Sequence, residues 1–342
     1  MTSEAPPFWW QAPDWRALAL SPASAVYSAV AKRRMTNARR EKIDVPVLCV
    51  GNFTVGGAGK TPVAIALAEQ AKQMLLTPGF LSRGFGGSSR APHMVDVEHD
   101  SARHVGDEPM LLAAHAPVVV TPDRAAGAKL LAARGCDLII MDDGFQSARI
   151  HMDYALLVID GRRGVGNGHV IPGGPVRAPI VHQMRFAHAL LKVGAGEAAN
   201  EVIRIASRAG RPVYEANAEP RDPQRFAGRR FLAFAGIGDP EKFFATVSDC
   251  GGLVEATRSF PDHHFFTREE LEDLSATATA AGLELITTAK DAVRLKHGSS
   301  WEKDFAAKLD VLEIGLSFDA PHTPHAIIDA TLAAWRERRH KI

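Results

Sequence analysis

One segment of the chain limits its possible folds more than any other: VPVLCVGNFTVGGAGKT, from Val45 to Thr61. An apolar strand pattern runs into a glycine-rich loop, and an apolar helix pattern follows from Pro62. Gly56, Gly57 and Gly59 lack the Cβ that would block a close anion, so backbone N–H groups can turn towards phosphate oxygens. Lys60 is placed to reach the β- and γ-phosphates, and the Thr61 hydroxyl to bind Mg²⁺. The helix that follows points its positive end at the same anion. Residues Thr54, Val55, Gly56, Gly57, Ala58, Gly59, Lys60 and Thr61 are therefore the expected cradle for ATP. The pattern departs from the usual P-loop at Thr54, where glycine is customary.

A second segment, LIIMDDG from Leu138 to Gly144, is an apolar run ending in acid. A buried strand of this kind delivers carboxylates to a sheet edge. Asp142 and Asp143 are thus expected, with Thr61, to hold Mg²⁺ or its waters. Around these segments, apolar runs at Val45–Val50, Pro117–Thr121, Leu138–Met141, Tyr154–Asp160 and Ala187–Val193 alternate with helical stretches such as Pro62–Met74 and Arg124–Arg134. Such alternation predicts an α/β fold: a P-loop domain with a mostly parallel sheet covered by helices on both faces. The polar stretch Ala216–Arg229 reads as a linker, and a second, smaller α/β unit begins at Arg230, with a strand near Glu284–Thr288. The expected organisation is 1–40 as a helical segment, 41–223 as the P-loop domain and 224–342 as the smaller unit, with the last helix free to pack on either.

Lysine and arginine total 40 and aspartate and glutamate 39, a balance that gives no general reason to expect nucleic acid. The three cysteines, Cys49, Cys136 and Cys250, form no CxxC pair and read as buried thiols of a reducing compartment. No apolar run reaches the ~20 residues of a spanning helix, and the N-terminus lacks the basic start of a signal peptide. A cytoplasmic location is expected. The N-terminus is still unusual. Phe8, Trp9, Trp10 and Trp15 are followed by Ser21 and Pro22 as a helix start, then by Ala23, Val26, Tyr27 and Val30 at helical spacing. A basic flank, Lys32, Arg33, Arg34, Arg39, Arg40 and Lys42, comes next. Aromatics, an apolar stripe and a cationic end suit an interfacial helix on anionic lipid. They equally suit a helix packed on its own domain.

The P-loop leaves the reaction open, because many such proteins are switches or motors. Val55 stands where partitioning-type ATPases carry lysine, and no Asn-Lys-x-Asp motif for guanine is present. Other short runs carry polar side chains suited to chemistry: SRGFGG from Ser82, VGDEP around Asp107, DDGFQ from Asp142 to Gln146, GNG followed by PGGPVR ending at Arg177, FPDHH from Phe260, and TTAKDAVRL from Thr287 to Leu295. Taken together with GNFTVGGAGKTP, these runs resemble the tetraacyldisaccharide 4′-kinase family of lipid A assembly, over nearly the whole chain.

The resemblance implies ATP-dependent phosphorylation of the 4′-hydroxyl of an acylated glucosamine disaccharide 1-phosphate. It implies an N-terminal helix on the cytoplasmic face of the inner membrane and a second domain that closes over the cleft. By resemblance Asp107 is the base that accepts the hydroxyl proton, and His263 orients it, with His264 as the alternative imidazole. Gln146 and Arg177 are expected to contact phosphate or substrate, and Arg83 to neutralise developing charge. The chain departs from the family pattern at Phe85, Ser147 and Ala178, where Tyr, His and Glu are common. The competing reading is a P-loop switch ATPase acting on a membrane partner. It has no use for a hydroxyl-activating Asp107 paired with a histidine from the second unit.

Overall fold

The structure, a computed structural model, describes residues 5–57, 59–84, 91–147 and 149–340. Thirteen strands are assigned among them. The first eight are β1 (Val47–Asn52), β2 (Pro78–Ser82), β3 (His93–Met94), β4 (Val118–Val120), β5 (Leu138–Asp142), β6 (Tyr154–Asp160), β7 (Ala189–Val193) and β8 (Val213–Pro220). The remaining five are β9 (Arg230–Ala235), β10 (Leu253–Ser259), β11 (Glu284–Thr288), β12 (Asp310–Leu312) and β13 (Ile314–Phe318). They form a nine-stranded sheet in the order β13-β8-β7-β6-β1-β5-β2-β4-β3 and a four-stranded sheet in the order β10-β9-β11-β12. The large sheet is parallel except at its two edges, where β3 and β13 pair antiparallel with their neighbours.

The continuous apolar runs of β1 and β5 follow from burial on both faces, as helix-covered parallel strands require. Alternate residues divide between two cores. Val47, Cys49, Ile139 and Met141 face the helices Arg124–Ala133 and Asn200–Arg208 through Leu131 and Val202. Leu48, Val50, Ile140 and Leu156 face the helices Lys60–Gln73 and Thr323–His340 through Val63, Leu67, Ile327 and Ile328. The small sheet repeats the scheme, with Phe231 and Ala233 packed on Phe243, Phe244 and Val247 on one face, and Leu232 and Phe234 on Leu271, Leu274 and Phe305 on the other.

Three sequence expectations differ from the observed chain. The polar stretch from Ala216 is not all linker, because Val213–Pro220 is a strand of the large sheet. Its side chains are mostly exposed, so it carries no apolar signal. The strand Ile314–Phe318, grouped with the smaller unit by the 224–342 boundary, returns to the large sheet and pairs with β8; of the two placements left open for the last helix, it takes the large core, where it buries Ile327 and Ile328. The N-terminal helix spans Ser21–Asn37 with Leu20 as its N-cap, one residue before the expected cap.

In the large sheet β1 lies between β6 and β5, so the connections leaving β1 and β6 run to opposite sides. Ligands of such sheets bind outside the carboxyl ends of the strands at this point. Asn52 and Asp142 end their strands there.

Candidate active site

The glycine-rich loop leaves β1 at Asn52 and enters the helix Lys60–Gln73 through Gly59, whose φ of 77° lies in the left-handed region that glycine tolerates. Lys60 and Thr61 are both buried at the helix start. The first half of the loop is held by a second segment. The Val55 N–H donates to the Pro175 carbonyl at 2.9 Å, and the Arg177 N–H to the Phe53 carbonyl at 2.8 Å. Between them Thr54 forms an antiparallel bridge with Val176. Thr54 therefore lies in a strand-like pairing, where no glycine is needed, and this accounts for the departure from the usual P-loop. Ala58 lies outside the described residues.

The two acids after β5 occupy different environments. Asp143, at a φ of 51°, accepts both arms of the Arg177 guanidinium at 2.6 and 2.9 Å, and lies 3.8 Å from Lys60 Nζ. Burial opposes its charge, but Lys60 and Arg177 bring its pKa down to about 2. Asp142 is 1% exposed, and its Oδ1 has no hydrogen-bond partner among the described residues. Burial, with Glu108 close by, pushes its pKa up to about 7. An unpaired oxygen in a buried carboxylate is the position that a cation would satisfy.

The acid of the VGDEP run is the first residue of the helix Asp107–Ala113. Asp107 is 5% exposed. Its Oδ2 accepts from His263 Nδ1 at 2.8 Å, from Arg294 Nε at 2.8 Å and from Arg294 Nη2 at 2.6 Å. No bond reaches Oδ1 from the described residues. Burial acts against the carboxylate, but the bonds from His263 and Arg294 outweigh it and hold its pKa below the ordinary aspartate value. The same bond raises the pKa of His263, which favours the protonated ring beside the carboxylate. His263 has a φ of 59°, a strained backbone for a non-glycine residue, and its N–H donates to the Gly236 carbonyl at 3.1 Å. His264 points elsewhere: it bonds Glu270 at 2.9 Å and stacks on Phe260.

Arg294 is the residue that the sequence reading missed. It is 3% exposed, yet its guanidinium joins both units: Asp107 on one side, and Asp291 Oδ1 at 2.6 Å and the Gly236 carbonyl at 3.0 Å on the other. Lys290 of the same short helix donates to Glu108 Oε1 at 2.9 Å. Both residues stand in the TTAKDAVRL run, whose strand-to-helix position is all that the residues themselves reveal. Arg124 carries a clearer signal. It is the first residue of the helix Arg124–Ala133, where a cation opposes the helix dipole, and it is buried with Nη1 unpartnered among the described residues. Its neighbours include Asp142 and Asp143.

Gln146 is committed within the protein. Its Nε2 donates to the Asn52 carbonyl at 2.8 Å and to Gln183 Oε1 at 3.0 Å, while its Oε1 accepts from Arg177 Nη1 at 3.1 Å. It holds Arg177 in place and has no N–H left for a ligand. Arg83 is exposed just past β2, and from Phe85 onwards the SRGFGG run lies outside the described residues. Ala178 is fully buried in the core beside the Arg177 strand, and Ser147 is half-buried after the DDGFQ turn.

The chain matches the tetraacyldisaccharide-1-P 4′-kinase family (LpxK) over residues 16–333. The tetraacyldisaccharide 4′-kinase of Mesorhizobium japonicum is 65% identical over 340 residues, spanning 99% of each chain. That of a Chelativorans species is 58% identical over 339 residues, again 99% of each. The crystal structure of LpxK from Aquifex aeolicus in complex with ATP matches with a TM-score of 0.72 at 27% identity, covering 92% of this chain and 99% of that one. A glycine-rich loop at a helix start and a bonded aspartate–histidine pair are joined on one framework, and the framework is shared along its length: the chain belongs to the tetraacyldisaccharide 4′-kinase family.

Proposed function

We propose that the protein transfers the γ-phosphoryl group of ATP to the 4′-hydroxyl of a tetraacylated glucosamine disaccharide 1-phosphate, with Asp107 as the base. Family membership supports the reaction and the substrate, and the crystal structure of a relative with ATP supports the nucleotide. The observation that carries the residue assignment is the convergence of His263 and Arg294 on one oxygen of Asp107.

A sugar hydroxyl is a weak nucleophile, so its proton must leave as the new P–O bond forms. Asp107 meets that need in a defined way. Three donors saturate Oδ2, which leaves Oδ1 to take the proton. The carboxylate is ionised at neutral pH and so is ready as an acceptor. His263 comes from the second unit, so the base is complete only when the units are together. Such assembly suppresses transfer to water. Lys60 and the loop N–H groups hold the phosphates, and Arg177, fixed by Asp143 and Gln146, is a further cation at the loop. Magnesium, when bound, neutralises charge on the phosphate oxygens. Asp142 and Thr61 would hold it, because Asp142 offers a buried oxygen without a partner. Asp143, already paired with Arg177, is the weaker candidate.

The membrane assignment rests on the N-terminal segment. Trp15, Leu18, Val26, Tyr27 and Val30 are 74%, 66%, 67%, 42% and 62% exposed, and Lys32, Arg33, Arg34 and Arg39 are exposed beside them. The helix is anchored instead through Ser24, whose hydroxyl donates to the Val170 carbonyl at 2.7 Å, and through buried Met35. An apolar face turned to solvent with a basic flank suits the cytoplasmic surface of the inner membrane. No helix among the described residues is long and apolar enough to cross a membrane.

The test is phosphate transfer from labelled Mg-ATP to the tetraacylated disaccharide 1-phosphate in mixed micelles. The expected product carries the label at the 4′ position. ATP hydrolysis without any transfer would overturn the reading and favour the switch ATPase. The membrane assignment is tested with Val26→Glu and Val30→Glu together, which should release the protein from anionic vesicles. Undiminished vesicle binding would remove the helix from that role.

A further inference from the structure

We propose that the protein holds a second anion site, for a phosphate group, in a cavity at the amino ends of β6 and β7. The cavity has a volume of about 370 Å³ and is lined by Arg40, Arg185, Arg211, His151 and His188, with Phe186 among its apolar walls. β6 runs from Tyr154 to Asp160, so at ~3.3 Å per residue its two ends are about 20 Å apart. The phosphate loop lies at the carboxyl ends of the same sheet. The two sites are separate.

The charge inventory of the cavity does not close without a ligand. Its one carboxylate is Asp153, which is already taken: Arg338 donates to it at 2.7 and 3.2 Å, and the Val47 N–H at 2.9 Å. Arg40, Arg185 and Arg211 form no ion pair among the described residues. Arg40 spends one arm on the Met35 carbonyl at 3.1 Å and lies over the Phe186 ring, and its buried Nε has no partner. Arg211 reaches only the Arg185 carbonyl, at 3.5 Å, and its buried Nε is likewise unpartnered. A guanidinium kept for packing alone ordinarily commits its N–H groups to acceptors. Here two of the three leave one open.

His188 adds a neutral donor. Its Nδ1 accepts the Ala155 N–H at 2.9 Å, which fixes the ring proton on Nε2. Burial and the nearby arginines lower the pKa of both His188 and His151 and outweigh the opposing pull of Asp153, which lies 3.7 Å from His151. Three guanidiniums in one recess repel each other unless an anion joins them. Phosphate fits because its oxygens match the planar fork of arginine.

The phosphate could belong to a soluble ion or to a lipid headgroup. Arg40 follows the exposed basic helix Ser21–Asn37, so a headgroup has a route to the cavity. The experiment separates these sources. The full chain is first saturated with Mg²⁺ and β,γ-methylene ATP, which keeps added phosphate out of the glycine-rich loop. Inorganic phosphate is then titrated by calorimetry. In parallel, sedimentation compares vesicles of phosphatidylcholine with vesicles that also contain phosphatidylglycerol.

Arg185→Ala and Arg211→Ala should each weaken binding about tenfold, the loss of one charge-assisted contact, and Arg185→Lys should retain most of it. Arg185 is exposed, so its variant reports on the ligand even if Arg211→Ala fails to fold. Phosphate binding that falls in the variants supports a soluble ligand. Phosphatidylglycerol-dependent sedimentation that falls, with no phosphate titration, supports a headgroup. If neither measurement responds to the variants, there is no second site and the arginines serve the fold alone.

Discussion

The two halves of the active site are built in opposite ways. The phosphate half is a contiguous piece of chain, Asn52 to Thr61, joined by the acids that end the adjacent strand β5. It works through backbone N–H groups, and only a few side chains matter. The half proposed to accept the proton is assembled from Asp107, with His263 and Arg294 lying 156 and 187 positions from it. It is made of side chains that meet between the two units, with Asp107 and Arg294 buried and His263 half-buried. A local loop can bind nucleotide in any P-loop protein. On the proposed reading, a base assembled at long range would make transfer depend on both units being in place.

If this contrast holds, substitutions should divide cleanly between the halves. Asp107→Ala carries the largest expected effect: a fall of ~10²–10⁴ in transfer rate, the usual contribution of a general base, with ATP affinity nearly unchanged. Filter binding of labelled ATP beside the transfer assay checks both, and a parallel loss of affinity would mean that the halves are one unit. Arg294→Ala should cost about 3–5 kcal/mol of stability, because it takes the cation from buried Asp291 and leaves Asp107 with His263 alone. Urea unfolding followed by fluorescence measures this, and Arg294→Lys should recover part of it. A midpoint like that of the parent chain would mean that Arg294 joins nothing that matters.

Asp142→Asn should act in the opposite direction on stability. The pKa of Asp142 is raised to about 7, so the folded protein keeps a proton that the unfolded chain releases. Folding stability of the unliganded protein therefore drops as pH rises from the ordinary aspartate range through about 7. Asparagine removes that term, so the variant should gain one to a few kcal/mol at pH 8 and little at pH 4, while losing magnesium-dependent transfer. Melting temperatures at the two pH values decide it. The smallest effect is expected for Thr54→Gly, which restores the usual P-loop sequence. Because Thr54 is already bridged to Val176, the change should only loosen that pairing, by ~0.5–1 kcal/mol, without tightening ATP binding. A tenfold gain in affinity would show that the threonine was a constraint on the loop.

The same contrast governs what could be read from the amino-acid sequence. The strands β1, β5 and β6 are buried on both faces and appear as unbroken apolar runs, and the glycine-rich loop needs no partner to be recognised. β8 was not visible, because its exposed polar residues follow backbone pairing that leaves little trace in side-chain chemistry, and β13 is a five-residue alternation of half-buried Ile314, Leu316 and Phe318, too short to stand out. Asp107 and His263 entered through resemblance alone, and nothing in their spacing brings them together. Arg294 has no signature short of the folded contact. Gln146 shows the limit of reading polarity as function: a conspicuous amide beside two acids turned out to brace Arg177.

The return of the chain to the large sheet has a mechanical consequence. The smaller unit leaves from Pro220 and comes back at Ile314, and these two residues are paired across β8 and β13. Entry and exit are also tied by the bond from the Arg221 N–H to the Glu313 carbonyl at 3.0 Å. The unit thus hangs from a double strap of two adjacent strands, which resists twisting and sliding but bends across its width. Both partners of Asp107, His263 and Arg294, belong to the strapped unit, so their placement against Asp107 depends on this one pair of strands.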